Sequence, residues 1–187
     1  MSSNSSSRSG RRWLRAVTAV CTIVAATAVG MVIGMPSSQA TACITGKHPG
    51  FTITAGDFAC LEDATITGGI SVSNDASLEV YDSVIKGSIS ATAPGWVVVC
   101  DSKMASISVQ QAVEFVEIGE PSNQNCFGNI IQGSLTVANN NGGANEGAWV
   151  ECNKIGGSWL VVNNSDNNVD YGNHHKGSGP AGCRVGT

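Results

Sequence analysis

The sequence predicts an all-β fold: a parallel β-solenoid of about five or six short coils, stapled by disulfides. One phrase occurs three times between residues 62 and 109, as Asp63-Ala64-Thr65-Ile66-Thr67-Gly68-Gly69-Ile70-Ser71-Val72, as Asp82-Ser83-Val84-Ile85-Lys86-Gly87-Ser88-Ile89-Ser90-Ala91, and as Asp101-Ser102-Lys103-Met104-Ala105-Ser106-Ile107-Ser108-Val109. Ile70 to Ile89 is 19 positions and Ile89 to Ile107 is 18; at such a period each unit buries its apolar face only against its neighbours. Within each copy apolar and polar residues alternate in two short runs, the period-2 signature of strands with one buried face. Beyond the leader no window shows helical periodicity.

Residues 1–40 read as a signal peptide. Arg8, Arg11, Arg12 and Arg15 form a basic start, residues 16–35 are apolar, and Ser38-Gln39-Ala40 is a small-x-small site that predicts cleavage before Thr41. The apolar run is also long enough to span a bilayer; the cleavage site favours release over an anchor.

Residues 41–162 form the predicted β-solenoid domain. A half-repeat over 43–60 opens it, with the strand and turn Phe51-Thr52-Ile53-Thr54-Ala55-Gly56-Asp57, as expected of a terminal coil that covers an open end. In the three good copies a Gly or small residue bends the alternating strand, and a second strand follows at 77–80, 95–99 and 112–118. The third copy is one residue short and has Ala105 where Gly is usual, which predicts a bulge or shifted bend. The phrase returns at 126–137 and 152–162, after Asn/Gly/Ser/Pro-rich insertions at 119–125 and 139–147 that are expected to protrude from one side. Residues 163–187 read as a polar Gly/Asn-rich tail tethered by Cys183.

Four of the ten basic residues lie in the leader and all 14 acidic ones lie beyond it, leaving six against 14, a formal net charge of −8. Nucleic acid and anionic membranes are therefore not expected as partners, since both require basic patches. Cys43, Cys60, Cys100, Cys126, Cys152 and Cys183 remain after cleavage, an even set in an exported chain and hence three expected disulfides. Six cysteines allow 15 connectivities; proximity along a coil suggests Cys43 with Cys60, Cys100 with Cys126, and Cys152 with Cys183.

The phrases Thr-Ile-Thr-Gly-Gly-Ile-Ser-Val, Val-Ile-Lys-Gly-Ser-Ile-Ser-Ala and Ile-Ile-Gln-Gly-Ser-Leu-Thr-Val, with cysteines beside them, resemble the T-V-x-G-x-V-x-V repeats of a group of secreted actinobacterial proteins. The resemblance covers roughly residues 51–163. It implies a right-handed parallel β-helix, the architecture of pectate-lyase-like enzymes, and it implies no activity.

The strongest candidate for chemistry is the acidic column Asp63, Asp82 and Asp101, with Asn129 and Asn153 read as its later members. At a strand spacing of about 4.8 Å these carboxylates stand at the separation a retaining glycosidase uses, or one that lets them share calcium. The leading reading is that Asp and Asn satisfy turn backbone there. A second polar column, Asn74, Ala93, Gln111, Asn139 and Asn163, predicts either a side-chain amide ladder or simple turn tolerance. An eliminating lyase needs a base and uronate neutralisation, yet Arg184 is the only arginine past the leader. His174-His175 lacks a third metal ligand at a useful spacing.

Trp96 and Trp149 are the candidate carbohydrate platforms; Trp159 is assigned to either core or surface. Thr52-x-Thr54 and Thr65-x-Thr67 do not share a coil position and form no flat array. The expected function is a secreted, extracellular, non-enzymatic binding or structural protein that contacts a polysaccharide or partner protein and needs no cofactor. The alternative is a small pectate-lyase-like polysaccharide-cleaving enzyme that uses the acidic column, with calcium as its possible cofactor.

Overall fold

The computed structural model describes residues 42–119, 126–140, 147–164 and 169–175, with the side chains of 169–171 and 175 excepted. Every strand in it belongs to one sheet and every pairing is parallel. No helix occurs among the described residues. The all-β solenoid-like class predicted from the repeats is therefore what the chain adopts.

Each turn of the chain contributes segments to three faces. The first face is built from the opening half of β3 (Phe58–Ile66), then β5 (Ser77–Tyr81), β7 (Val97–Cys100), β9 (Val116–Ile118), β12 (Ala148–Glu151) and β15 (Val169–Tyr171). The second takes the end of β1 (Ile44–His48) and of β3, the starts of β6 (Val84–Thr92) and β8 (Lys103–Gln110), then β10 (Ile130–Ile131), β13 (Lys154–Ile155) and β16 (His174–His175). The third takes β2 (Phe51–Ile53), β4 (Ile70–Val72), the far halves of β6 and β8, β11 (Leu135–Ala138) and β14 (Trp159–Val162). On the second face one register line runs Lys47, Thr65, Val84, Lys103, Ile130, Lys154, His174. The stack thus continues past Val162 through β15 and β16.

Alternation fills the interior. Leu61, Leu78, Ile66, Ile85, Met104, Ile131 and Ile155 are fully buried from the first two faces, and Ile70, Ile89, Ile107 and Leu135 from the third. Each such side chain contributes roughly 1.5–3 kcal/mol by leaving water, and each packs on its own equivalent one coil away.

The corners explain the polar columns. Asp63, Asp82, Asp101, Cys152 and Gly172 share a left-handed backbone with φ between 46° and 67°, a conformation that Asp and Asn tolerate better than most residues. The next residue points inward, where a bend would otherwise leave buried N–H groups unpaired. Its side chain accepts the N–H of its counterpart one coil earlier: Ala64 donates to Ser83 Oγ (3.0 Å), Ser83 to Ser102 Oγ (3.0 Å), Ser102 to Asn129 Oδ1 (2.9 Å), Asn129 to Asn153 Oδ1 (3.0 Å) and Asn153 to Asn173 Oδ1 (2.9 Å). The amide Nδ2 groups of Asn129 and Asn153 donate in turn to the carbonyls of Val99 and Ile118 at 2.8 and 2.7 Å.

This corrects the sequence alignment of Asn129 and Asn153 with the aspartates. Ile130 and Lys154 pair in line with Lys103, which places both asparagines with Ser102, one position past Asp101 and on the opposite side of the backbone. The same one-residue offset occurs at the next corner. Ala93, Gln111, Asn139 and Asn163 are left-handed. The buried ladder is made by their successors, with Ala112 N–H donating to Asn140 Oδ1 (2.7 Å) and Asn140 N–H to Asn164 Oδ1 (3.1 Å). Of the predicted column itself, only Asn163 and Asn139 meet through their amides, at 3.2 Å on the surface.

The third corner is tight. A Cβ added to Gly87 would stand 2.5 Å from Gly69 N, so the bend of the second copy requires glycine. The predicted bulge lies here: pairing runs Ile85 to Met104 and then Ser88 to Ser106, one residue lost on β8.

Candidate functional site

The outer surfaces of the three faces differ in chemistry, because alternation sends every second side chain outward. On the third face Thr52, Ser71, Ser90, Ser108 and Thr136 stand in one outward column, uncharged throughout. The second face carries Lys47, Lys103 and Lys154 in its outward line, with Lys86 just beyond Ile85. The first face concentrates the aromatics and the acids.

Three register columns cross that first face. Phe58 lies opposite Ser77; Trp96 and Phe115 continue the same column, immediately before the paired residues Val97 and Val116. Small Ser77 leaves space for the rings on either side to meet. Phe58 and Trp96 have centroids 5.8 Å apart at 37°, and Trp96 stacks on Phe115 at 6.3 Å and 8°. Cys60, Glu79, Val98, Glu117 and Trp149 form the second column. Glu62, Tyr81 and Cys100 begin the third. Tyr81, Trp96 and Phe115 pack over Val98, Cys100 and Cys126 as an apolar cluster on the outside of the coil. The Trp96 indole N–H is buried there without an acceptor among the described residues.

Both sequence-selected tryptophans are therefore on one surface, and both are half-buried. From strand spacing and residue rise they are about 12 Å apart along the sheet. Trp159 is elsewhere: it pairs in line with Leu135 on the third face and is 41% exposed, because β14 is that face's last described strand.

Asp63, Asp82 and Asp101 edge this face at its corner with the second. Asp82 and Asp101 are close enough to interact: burial, then a hydrogen bond and the negative charge of Asp82, push the Asp101 carboxyl above its usual 3.8. Asp63 and Asp82 are exposed. Asp57, Asp75 and Glu114 sit in the turns that enter the first face, and Glu62, Glu79, Glu117 and Glu151 on its strands. No lysine among the described residues lies on it.

Cys43–Cys60 and Cys100–Cys126 are both bonded, with Cα atoms 4.5 and 5.0 Å apart. The two pairs suggested by proximity along the coil thus form, and they fit an oxidising, extracellular setting. Cys152 is disulfide-bonded as well; Cys183, its expected partner, lies outside the described residues. One sulfur each from Cys100 and Cys126 and a Glu117 carboxylate oxygen come within 4.8 Å of one another, but the disulfide removes both thiolates as metal ligands. The two insertions leave and re-enter at the borders of the first face, after β9 and before β12; residues 120–125 and 141–146 themselves lie outside the described set.

What sequence reasoning missed is the aromatic partnership of Phe58, Trp96 and Phe115. Their spacings of 38 and 19 positions are whole multiples of the repeat, and that was the available signal. No family model, no curated protein and no solved structure matches this chain.

Proposed function

We propose that this chain is an exported, right-handed parallel β-helix that binds polysaccharide through the outer surface of its first face, without cleaving it. Handedness follows from the general rule that parallel crossovers in one sheet are right-handed in about 98% of cases. Export follows from the leader, and the disulfides agree with it.

The observation that carries the binding reading is the alignment of Phe58, Trp96 and Phe115 in one register column with Trp149 in the next, all half-buried on the outer side of one sheet. Flat aromatic faces stack on the C–H faces of sugar rings, and amphipathic rings gain from being partly desolvated. A parallel sheet holds such rings rigidly, so little conformational entropy is lost on binding. The acidic edge provides hydrogen-bond acceptors for sugar hydroxyls.

Co-sedimentation of the oxidised protein, residues 41–187, with insoluble glycans tests this. Protein in the pellet with no soluble sugar released is expected. Trp96→Ala should cut retention by about tenfold or more, as loss of a central aromatic anchor does. Soluble sugar that appears with the wild type and disappears with Asp82→Asn would instead make the acidic column catalytic.

A further inference from the structure

Resting on that binding reading, we infer that the polymer recognised is a cationic amino-sugar polysaccharide, whose protonated amines meet the carboxyl groups around the aromatic strip. The charge layout selects the ligand class. Glu62, Glu79 and Glu117 project from the strands of the first face, and Asp75, Asp82 and Asp101 stand in its bordering turns. The described lysines all lie on the second face or at its far corner. A uronate polymer laid along Phe58, Trp96 and Phe115 would bring like charges together, which costs energy and slows encounter. A neutral polymer gains the stacking alone.

A protonated amino sugar gains both interactions. Its ring stacks on the aromatics, its ammonium reaches Glu79 or Glu117 in the adjacent register column, and the same ammonium is attracted to the indole face. Glu79 and Glu117 flank Val98 along the stack at about strand spacing, so a carboxyl-bearing residue stands diagonally to either side of Trp96 at about 8 Å. A regular polymer would thus meet alternate ring and carboxyl contacts along the coil axis.

The experiment compares retention on chitosan, fully acetylated chitin and cellulose at mildly acidic pH, where amines are protonated and most carboxyls ionised. Chitosan should bind about tenfold tighter than chitin at low salt, the sum expected of a few exposed ion pairs. That preference should collapse as ionic strength rises and the Debye length falls below contact range. Glu62→Gln/Glu79→Gln/Glu117→Gln should abolish the preference while chitin retention persists, and Trp96→Ala should lower both. Equal binding of chitin and chitosan, or a preference unmoved by salt, would overturn the inference and leave the aromatic binding reading standing. Retention on none of the three overturns both. The salt series on the native protein decides the matter even if the triple variant does not fold.

Discussion

At the level of single residues, the corner asparagines and aspartates have opposite energetics although they occupy adjacent positions of the repeat. Asn153 is fully buried and makes three links at once: its Oδ1 accepts from Asn129, its N–H donates to Asn173, and its Nδ2 donates to the Ile118 carbonyl. Asn153→Ala leaves the Asn129 N–H and the Ile118 carbonyl without those partners in the interior, and at roughly 1–3 kcal/mol per orphaned group we expect a loss of about 3 kcal/mol by urea denaturation. Asn163→Ala, at an exposed position with φ 52°, orphans no buried group but loses Asn's tolerance of the left-handed region, and should cost only about 1 kcal/mol. Asp101 runs the other way. An acid whose folded pKa is raised holds its proton more tightly in the folded chain, so its contribution to stability is present at low pH and lost as pH rises through the raised value. Asp101→Asn keeps a residue that tolerates φ 47° and supplies a donor to Asp82. The variant should be more stable than the wild type near pH 7, with the gap closing near pH 3. A gap that widened on acidification would mean the Asp82–Asp101 interaction favours the charged form.

At the level of elements, strands were readable and corners were not. Alternation over 63–72 and its copies marked Ile66, Ile70, Ile85 and Ile89 as inward, and they are buried. A strand's two sides differ by one residue, however, so an alignment of Asn129 with Asp101 rather than Ser102 puts a buried backbone cap into a surface column. Ser102 and Asn129 differ in type but do the same work, and no identity-based column could join them. The aromatic strip is half visible in the sequence: alternation with the inward Val97 turns Trp96 outward, whereas its meeting with Phe58 across Ser77 depends on packing two rungs apart. Glycine at the tight corner follows from contact distance. Gly87→Ala would drive a Cβ to 2.6 Å from Gly68 O, a backbone atom with no rotamer to give, and should cost about 2 kcal/mol. The same change at Gly56, where nothing lies within 4 Å but φ is +79°, tests conformation without crowding and should cost about 1 kcal/mol.

For the whole molecule, stacking makes stability local. Each coil pairs its strands only with the coils above and below it, so, the Phe58–Trp96 contact across Ser77 aside, the protein behaves as a short one-dimensional array whose ends are supported from one side. The ends are unequal among the described residues. At the start, Cys43–Cys60 clamps β1 onto β3 and Ile53 on β2 is already 4% exposed. At the other end β14 pairs only with β11, and Trp159 and Leu160 are 41% and 52% exposed. Between them, β5 to β8 are covered on both sides, and Cys100–Cys126 closes 26 residues of chain, a constraint that stabilises by about 3 kcal/mol. Amide exchange should therefore be slowest for the inward residues Val80, Ile85, Val99 and Ile107 and should quicken toward β14. Local opening free energies grade downward in that direction because fewer apolar contacts must be broken. Uniform protection across all levels would show that the coils unfold as one unit and that nearest-neighbour stacking does not govern this chain. A gradient retained in Cys100→Ser/Cys126→Ser, with the central maximum lowered, would separate the contribution of the disulfide from that of the stack.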